Sequence, residues 1–181
     1  MNETLVERWN ASVRNGDIVY HLGDFAFGSP DRIASLLARL KGRLFICLGS
    51  HDRNLVRACK QARNVEGLKE SYLVSLNLGG KRKQKLFLSH HCHLVWPYSR
   101  YGSWHLFGHF HGGYDELVST LGKMLDVGVD SHDFFPWSLQ EVLSVMENRP
   151  PNLDQRTSSR CMSVRPLNTR GFHHVAQSGM T

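Results

Sequence analysis

The chain has 181 residues, 41% of them apolar and 21% charged, which fits one globular domain with a real core. No apolar run approaches the roughly 20 residues needed to cross a bilayer, and the opening MNETLVERWN lacks the apolar centre of a secretory signal. A membrane or secreted protein is therefore not expected, and a cytoplasmic one is. The net charge of +6 sits mostly at the C-terminal end, where Arg149, Arg156, Arg160, Arg165 and Arg170 face one acid, Asp154. A basic tail rather than a basic surface argues against a nucleic-acid-binding domain.

The first element is a helix, with Leu5, Trp9 and Val13 on one stripe. Gly16-Asp17 ends it, and Ile18 to Leu22 is a short buried strand that delivers Asp24. Ser29-Pro30 caps and opens a second helix, with Ile33, Leu36, Leu37 and Leu40 toward the core and Gly42 at its end. Leu44 to Leu48 is a second strand, followed by Gly49-Ser50-His51-Asp52 and a helix from Leu55 to Ala62. Ser71 to Leu78 and Leu86 to Leu88 are strands joined through Gly79-Gly80 and the KRKQK run, and the second of them ends at Ser89-His90. Trp104 to Phe107 is a strand ending at Gly108-His109-Phe110-His111. Met124 to Val129 is a strand, and Ser138 to Met146 a helix with Ser138 and Glu141 in capping-box spacing. Beyond Asn148 the apolar rhythm fails, so the reading is one domain over 1–148 and a basic, disordered tail over 149–181.

Several of these strands end in a polar cluster: GD, GSHD, SHH and GHFH. In open α/β layers ligands bind beyond the carboxyl ends of strands, so the four clusters are expected to converge. Six of the eleven histidines lie between His90 and His111. Imidazole and carboxylate at strand ends are ligand types for Mn, Fe, Zn or Ni. An extended GHFH segment can point both imidazoles to one side.

In order and spacing, Gly23-Asp24, Gly49 to Asp52, Ser89-His90 and Gly108 to His111 resemble the motifs of the calcineurin-like metallophosphoesterases. The resemblance covers roughly residues 1–147. The flanking text VYHLGDFAFG, GRLFICLGSHD and GSWHLFGHFHGG is similar to small bacterial and phage members. It implies an α/β layered fold, a β-sandwich flanked by helices. It also implies two divalent ions, Mn above all, with Asp24 bridging them, Ser50, His90 and His109 on the second and His111 on the first. His51 would serve the leaving group as an acid, and Asp52 would orient His51. The implied reaction is hydrolysis of a phosphomonoester or phosphodiester by a metal-bound hydroxide at a binuclear site.

The sequence departs from that pattern twice. No Asp-x-His precedes residue 24, so the strand that carries it, and two ligands of the first ion, are expected to be missing. A truncated reading frame or a fragment beginning at an internal methionine is the expectation, and a real short variant the alternative. Asp126, Asp130 and His132 do not supply Asp-x-His in the right order. Ser50 also stands where the pattern has Asn, and its hydroxyl is a poorer neutral ligand than an amide oxygen. One ion instead of two is therefore open.

Two rivals follow. One is a phosphoesterase scaffold without turnover that binds one ion or none. The other is a nucleic-acid-binding module that uses the tail. Other residues read as structural. His91-Cys92-His93 lack the spacing of a closed zinc site, and strand alternation sets His91 and His93 opposite His90. His21 and His105 are expected behind the motif residues, and Trp96, Tyr98, Tyr101 and Trp104 in packing. Arg100 is a candidate phosphate contact. The cysteines Cys47, Cys59, Cys92 and Cys161 are expected as thiols.

Overall fold

The computed structural model describes residues 2–79 and 83–157. In chain order the elements are α1 (Asn2–Ser12), β1 (Ile18–His21), α2 (Pro30–Arg39), β2 (Arg43–Cys47), α3 (Arg53–Ala58), β3 (Val65–Lys69), β4 (Ser71–Leu76), β5 (Gln84–Ser89), β6 (Trp104–Phe107), α4 (Asp115–Ser119), β7 (Met124–Asp126), α5 (Leu139–Asn148) and α6 (Leu153–Thr157). They form a mixed α/β structure with two sheets. The first, in order β1-β2-β3, is parallel throughout. The second, in order β4-β5-β6-β7, is parallel except for the β4–β5 hairpin.

Alternation along the strands divides the interior into three layers. Leu44 and Ile46 of β2 face α2 and α3, packing with Ile33, Leu37, Leu55 and Ala58. Cys47 turns the other way and joins Leu86, Leu88, Leu106 and Leu125 of the second sheet, with Val142 and Met146 of α5. The opposite face of the second sheet sends Phe87, Phe107 and Met124 against Trp96 and Val118. The two sheets thus share a central core, and each has a second apolar face covered by helix or loop. This is the coarse α/β expectation, with two sheets and flanking helices.

Local chemistry sets the helix ends as expected. Ser29 Oγ accepts the Arg32 N–H, and Pro30 occupies the first turn of α2. Ser138 and Glu141 close a reciprocal capping box at the start of α5. Both turns satisfy donors that the helix itself leaves open.

Three elements differ from the sequence reading. β3 was not expected, because Val65-Glu66-Gly67-Leu68-Lys69 has few apolar residues and an interior glycine. The structure explains the glycine: a Cβ at Gly67 would lie 2.6 Å from Tyr72 Oη and 2.7 Å from the Phe45 ring. The short helix α4 was also unforeseen. β7 stops at Asp126 rather than Val129, because Asp126 Oδ1 accepts the Gly128 N–H and turns the chain.

The domain boundary also moves. Arg149 to Thr157 are part of the fold and not a disordered tail. Asn152 is fully buried, and α6 follows it. Its side chain accepts the Lys123 N–H (2.7 Å) and donates to the carbonyls of Ser99 (2.8 Å) and Ser103 (2.9 Å). Two of the tail arginines are engaged: Arg149 with Asp115 at 2.5 Å, and Arg156 with the carbonyls of Thr120 and Leu121. The rest of the expected tail, 158–181, lies outside the described residues, as does the hairpin tip at 80–82.

Among the described residues β1 pairs only with β2 and forms an edge of its sheet, with Ile18 half exposed. No described helix is long and apolar enough to cross a membrane.

Candidate metal centre

Parallel pairing points the carboxyl ends of β1 and β2 in one direction, and those of β5 and β6 in one direction. The two sets of ends meet at His90. Its Nδ1 lies 2.8 Å from the Leu22 carbonyl, across the gap between the sheets. A carbonyl only accepts, so Nδ1 carries the proton and Nε2 keeps its lone pair. That fixed tautomer is what an imidazole ligand needs. His90 Nε2 faces Asp24 Oδ2 at 3.3 Å and His109 Nδ1 at 3.1 Å. His90 is buried, while Asp24 is partly covered.

The approach is close enough to demand glycine. Gly23 has φ +96°, and a Cβ there would sit 2.7 Å from both the Gly49 nitrogen and His90 Nδ1. Asp24, His109 and His111 also hold positive φ (51°, 71° and 53°) without being glycine. Such backbone is costly and concentrates where structure serves a site.

Asp52 is placed differently from the expectation. It is buried and its carboxylate does not orient His51. Oδ2 accepts the N–H groups of Asp24 (2.8 Å) and Gly49 (2.7 Å), and Oδ1 accepts that of Phe25 (2.9 Å). It is a positioning residue that binds the loops after β1 and β2 together. Asp24 Oδ1 returns the link by accepting the His51 N–H at 2.8 Å. The His51 ring is exposed and lies against Phe27, centroids 5.3 Å apart.

Asp126 does for the GHFH loop what Asp52 does for the first two. Buried at the end of β7, it accepts the Gly112 N–H at 2.9 Å and the Gly128 N–H at 3.0 Å. Burial raises its pKa, and the donated amides partly offset that.

His111 does not join His90 and His109. It is exposed, and its Nδ1 donates to Asp130 Oδ2 at 2.7 Å. The place beside His90 and His109 is taken by His91. One ligand nitrogen from each of these three residues lies within 4.8 Å of the others. His91 Nε2 also stands 3.5 Å from Ser50 Oγ. The expectation that strand alternation turns His91 away fails because β5 ends at Ser89 and the chain bends there. The repeated histidine was visible in the sequence; the bend was not. His91 is exposed by area, yet its pKa is lowered, first by partial desolvation and then by His90 and His109.

His21 and His105 lie behind the site. His21 Nδ1 accepts the Gly23 N–H at 3.2 Å. His105 is fully buried, donates from Nδ1 to the Phe87 carbonyl at 3.2 Å and accepts the His93 N–H at 3.0 Å. Cys92 packs against the Phe87–Trp96 cluster. Cys47, Cys59 and Cys92 are free thiols, and burial pushes Cys47 up to about 12.

No family model matches the chain. It is similar to the uncharacterized protein MJ1445 of Methanocaldococcus jannaschii, 28% identical over 156 residues that cover 81% of this chain and 76% of that one. Among solved structures it is similar to the crystal structure of the protein of unknown function AQ665 from Aquifex aeolicus. That likeness has a TM-score of 0.57 at 17% identity, over 80% of this chain and 84% of the other. It is a likeness of fold.

Proposed function

We propose that this chain is a metal-dependent phosphoesterase of the calcineurin-like type. The observation that carries the reading is the convergence of Asp24, His90 and His109, from three separate strand ends, with donor atoms 3.1 and 3.3 Å apart around His90 Nε2. Ligands on a tetrahedral ion with bonds of about 2.0–2.1 Å stand roughly 3.3 Å from one another, which is the scale of these two approaches to His90 Nε2. The order of GD, GSHD, SH and GHFH along the chain adds to this, as does the two-sheet α/β architecture, which suits the layered sandwich of that family.

A bound ion supplies positive charge against an anionic ester and makes water at the site more acidic. The chain's own residues do the rest. Asp52 holds Asp24 and the Ser50–His51 loop in one frame. The exposed His51 ring, whose backbone N–H is held by Asp24, would hand a proton to the departing alkoxide oxygen. Asp130 fixes the His111 tautomer and leaves Nε2 open toward solvent or phosphate.

Hydrolysis of bis-p-nitrophenyl phosphate and p-nitrophenyl phosphate by protein loaded with Mn, Fe, Zn or Ni tests the reading. Turnover should vanish with chelator and fall at least ~100-fold in Asp24→Ala and His51→Ala, the scale of a lost acid or charge contact. Wild-type protein that hydrolyses neither ester with any of these ions sinks it.

The position of His111 favours a second reading. Among the described residues the one group of three or more candidate ligand side chains is His90, His91 and His109, and it excludes His111. A scaffold that binds one ion without turnover is consistent with that. One bound ion and no hydrolysis would select it.

A further inference from the structure

We infer that His91 is a metal ligand, and that His90, His91 and His109 form a nitrogen-rich site, with Asp24 beside His90, for one ion of the zinc, cobalt or nickel kind in preference to manganese. The inference rests on the metal-dependent reading above and changes its expected metal.

The three rings form a closed triangle. Their centroids lie 4.6 Å (His90–His91), 4.9 Å (His90–His109) and 4.6 Å (His91–His109) apart, at interplanar angles of 70°, 76° and 67°. Rings packed for burial would cover apolar surface, but His91 and His109 are exposed. Edge-to-face imidazoles with their nitrogens turned inward gather lone pairs instead. His90 is locked by the Leu22 carbonyl. Among the described residues the His91 side chain, on the bend after β5, makes one long hydrogen-bonding approach, 3.5 Å to Ser50 Oγ. It is therefore able to close on an ion held by His90 and His109.

Ser50 and His91 share the same rim. A hydroxyl is a poor neutral ligand, and an imidazole a good one. Between the two, His91 is the group that completes the set. Three imidazole nitrogens make a site that ranks Mn(II) last among the first-row divalent ions and Zn(II), Ni(II) and Co(II) well above it.

Ligation also carries a proton movement. Without an ion, His109 Nδ1 is the available donor to the unprotonated His90 Nε2, 3.1 Å away. With both nitrogens used as ligands, the His109 proton must shift from Nδ1 to Nε2. No proton is lost overall from that ring.

The test is competition titration of chelator-stripped full-length protein with Zn(II) and Mn(II), with metal per chain counted and the Co(II) visible spectrum recorded. One Zn(II) per chain is expected, held about 100-fold or more tighter than Mn(II), as the affinity order requires. His91→Ala, an exposed substitution that should leave the circular dichroism unchanged, should weaken Zn(II) at least ~10-fold and alter the Co(II) spectrum, the scale of a lost ligand contact. Nitrogen-15 NMR should show His109 changing tautomer on metal addition. Zinc affinity within about twofold of wild type in His91→Ala, or manganese bound as tightly as zinc, overturns the inference. A wild-type protein that binds no ion overturns both this and the hydrolase reading. Zinc bound through His91 without ester hydrolysis supports the site and removes the hydrolase alone.

Discussion

Asp52 reaches Asp24 through the backbone and not through its side chain: Asp52 Oδ2 accepts the Asp24 N–H at 2.8 Å, while the Asp24 carboxylate turns away toward His90 and the His51 amide. One carboxylate is spent on holding the loop so that the other can face the site. Asp52→Asn replaces an accepting oxygen with an NH2 group in front of amide donors. It should destabilise the fold by about 2–4 kcal/mol, the scale of a charged hydrogen bond lost and a donor left unpaired. Urea unfolding measures this directly, and an unchanged midpoint would show that the loops hold without the clamp.

Gly23→Ala tests the close approach between the loops after β1 and β2. A methyl group there would meet the Gly49 backbone at 2.7 and 2.8 Å, in a left-handed conformation at φ +96°. Backbone cannot rotate aside as a side chain can. A loss of more than about 3 kcal/mol is expected, combining overpacking with strain. Zn(II) affinity should fall with it, because His90 Nδ1 lies 2.7 Å from the same point.

His105 should make stability depend on pH. Burial pushes its pKa down to about 4, with the His93 neighbour adding to the effect and the Phe87 and His91 carbonyls opposing it. The unfolded imidazole titrates near 6.5. Between those values the unfolded chain binds a proton that the folded chain refuses, so stability is greatest above about pH 6.5 and falls as pH drops toward 4. The contribution reaches roughly 1.4 kcal/mol per pH unit inside that window. Chemical denaturation at pH 7.5 and 5 should show a shallower pH slope in His105→Gln than in wild type. Equal slopes would place the proton elsewhere.

Much of this was legible in the sequence. Short apolar runs ending in polar clusters located β1, β2, β5 and β6 and the side chains they deliver, because a buried strand writes its identity into consecutive residues. Ser29 and Ser138 announced their helices for the same reason, each cap being local. What stayed hidden was set by contacts between distant segments. Gly67 looks like a break until Tyr72 and Phe45 are seen pressing on it. Asp52 looks like a partner for the neighbouring His51, yet its amide partners include residues almost thirty positions back. His91 was assigned away from the site by an alternation that ended two residues earlier, at Ser89. Asn152 was hidden in polar text that resembles a tail, since a single buried amide leaves no periodic trace.

Asn152→Ala would remove three hydrogen bonds to backbone groups at once, leaving the Lys123 N–H and the Ser99 and Ser103 carbonyls without that partner. Destabilisation of about 2–4 kcal/mol is expected from the three lost bonds, although the Ser99 and Ser103 carbonyls keep the Gly102 N–H and the Trp96 Nε1–H. Asn152→Asp, the same shape with no donor, should recover the Lys123 contact and none of the carbonyl contacts. A melting temperature unchanged in both variants would mean that residues 149–157 sit on the domain without supporting it.

That buried amide also orders events during synthesis. The loop over Ser99–Ser103 and the entry to β7 leave the ribosome well before Asn152 does, and chains fold from the end made first. Until Asn152 arrives, the Ser99 and Ser103 carbonyls have, among the described residues, only the Gly102 N–H and the Trp96 Nε1–H as protein partners, and the Trp96 loop that covers one face of the second sheet lacks its final tie. The segment around Asn152 is therefore expected to close late, as a latch over the Ser99–Ser103 loop.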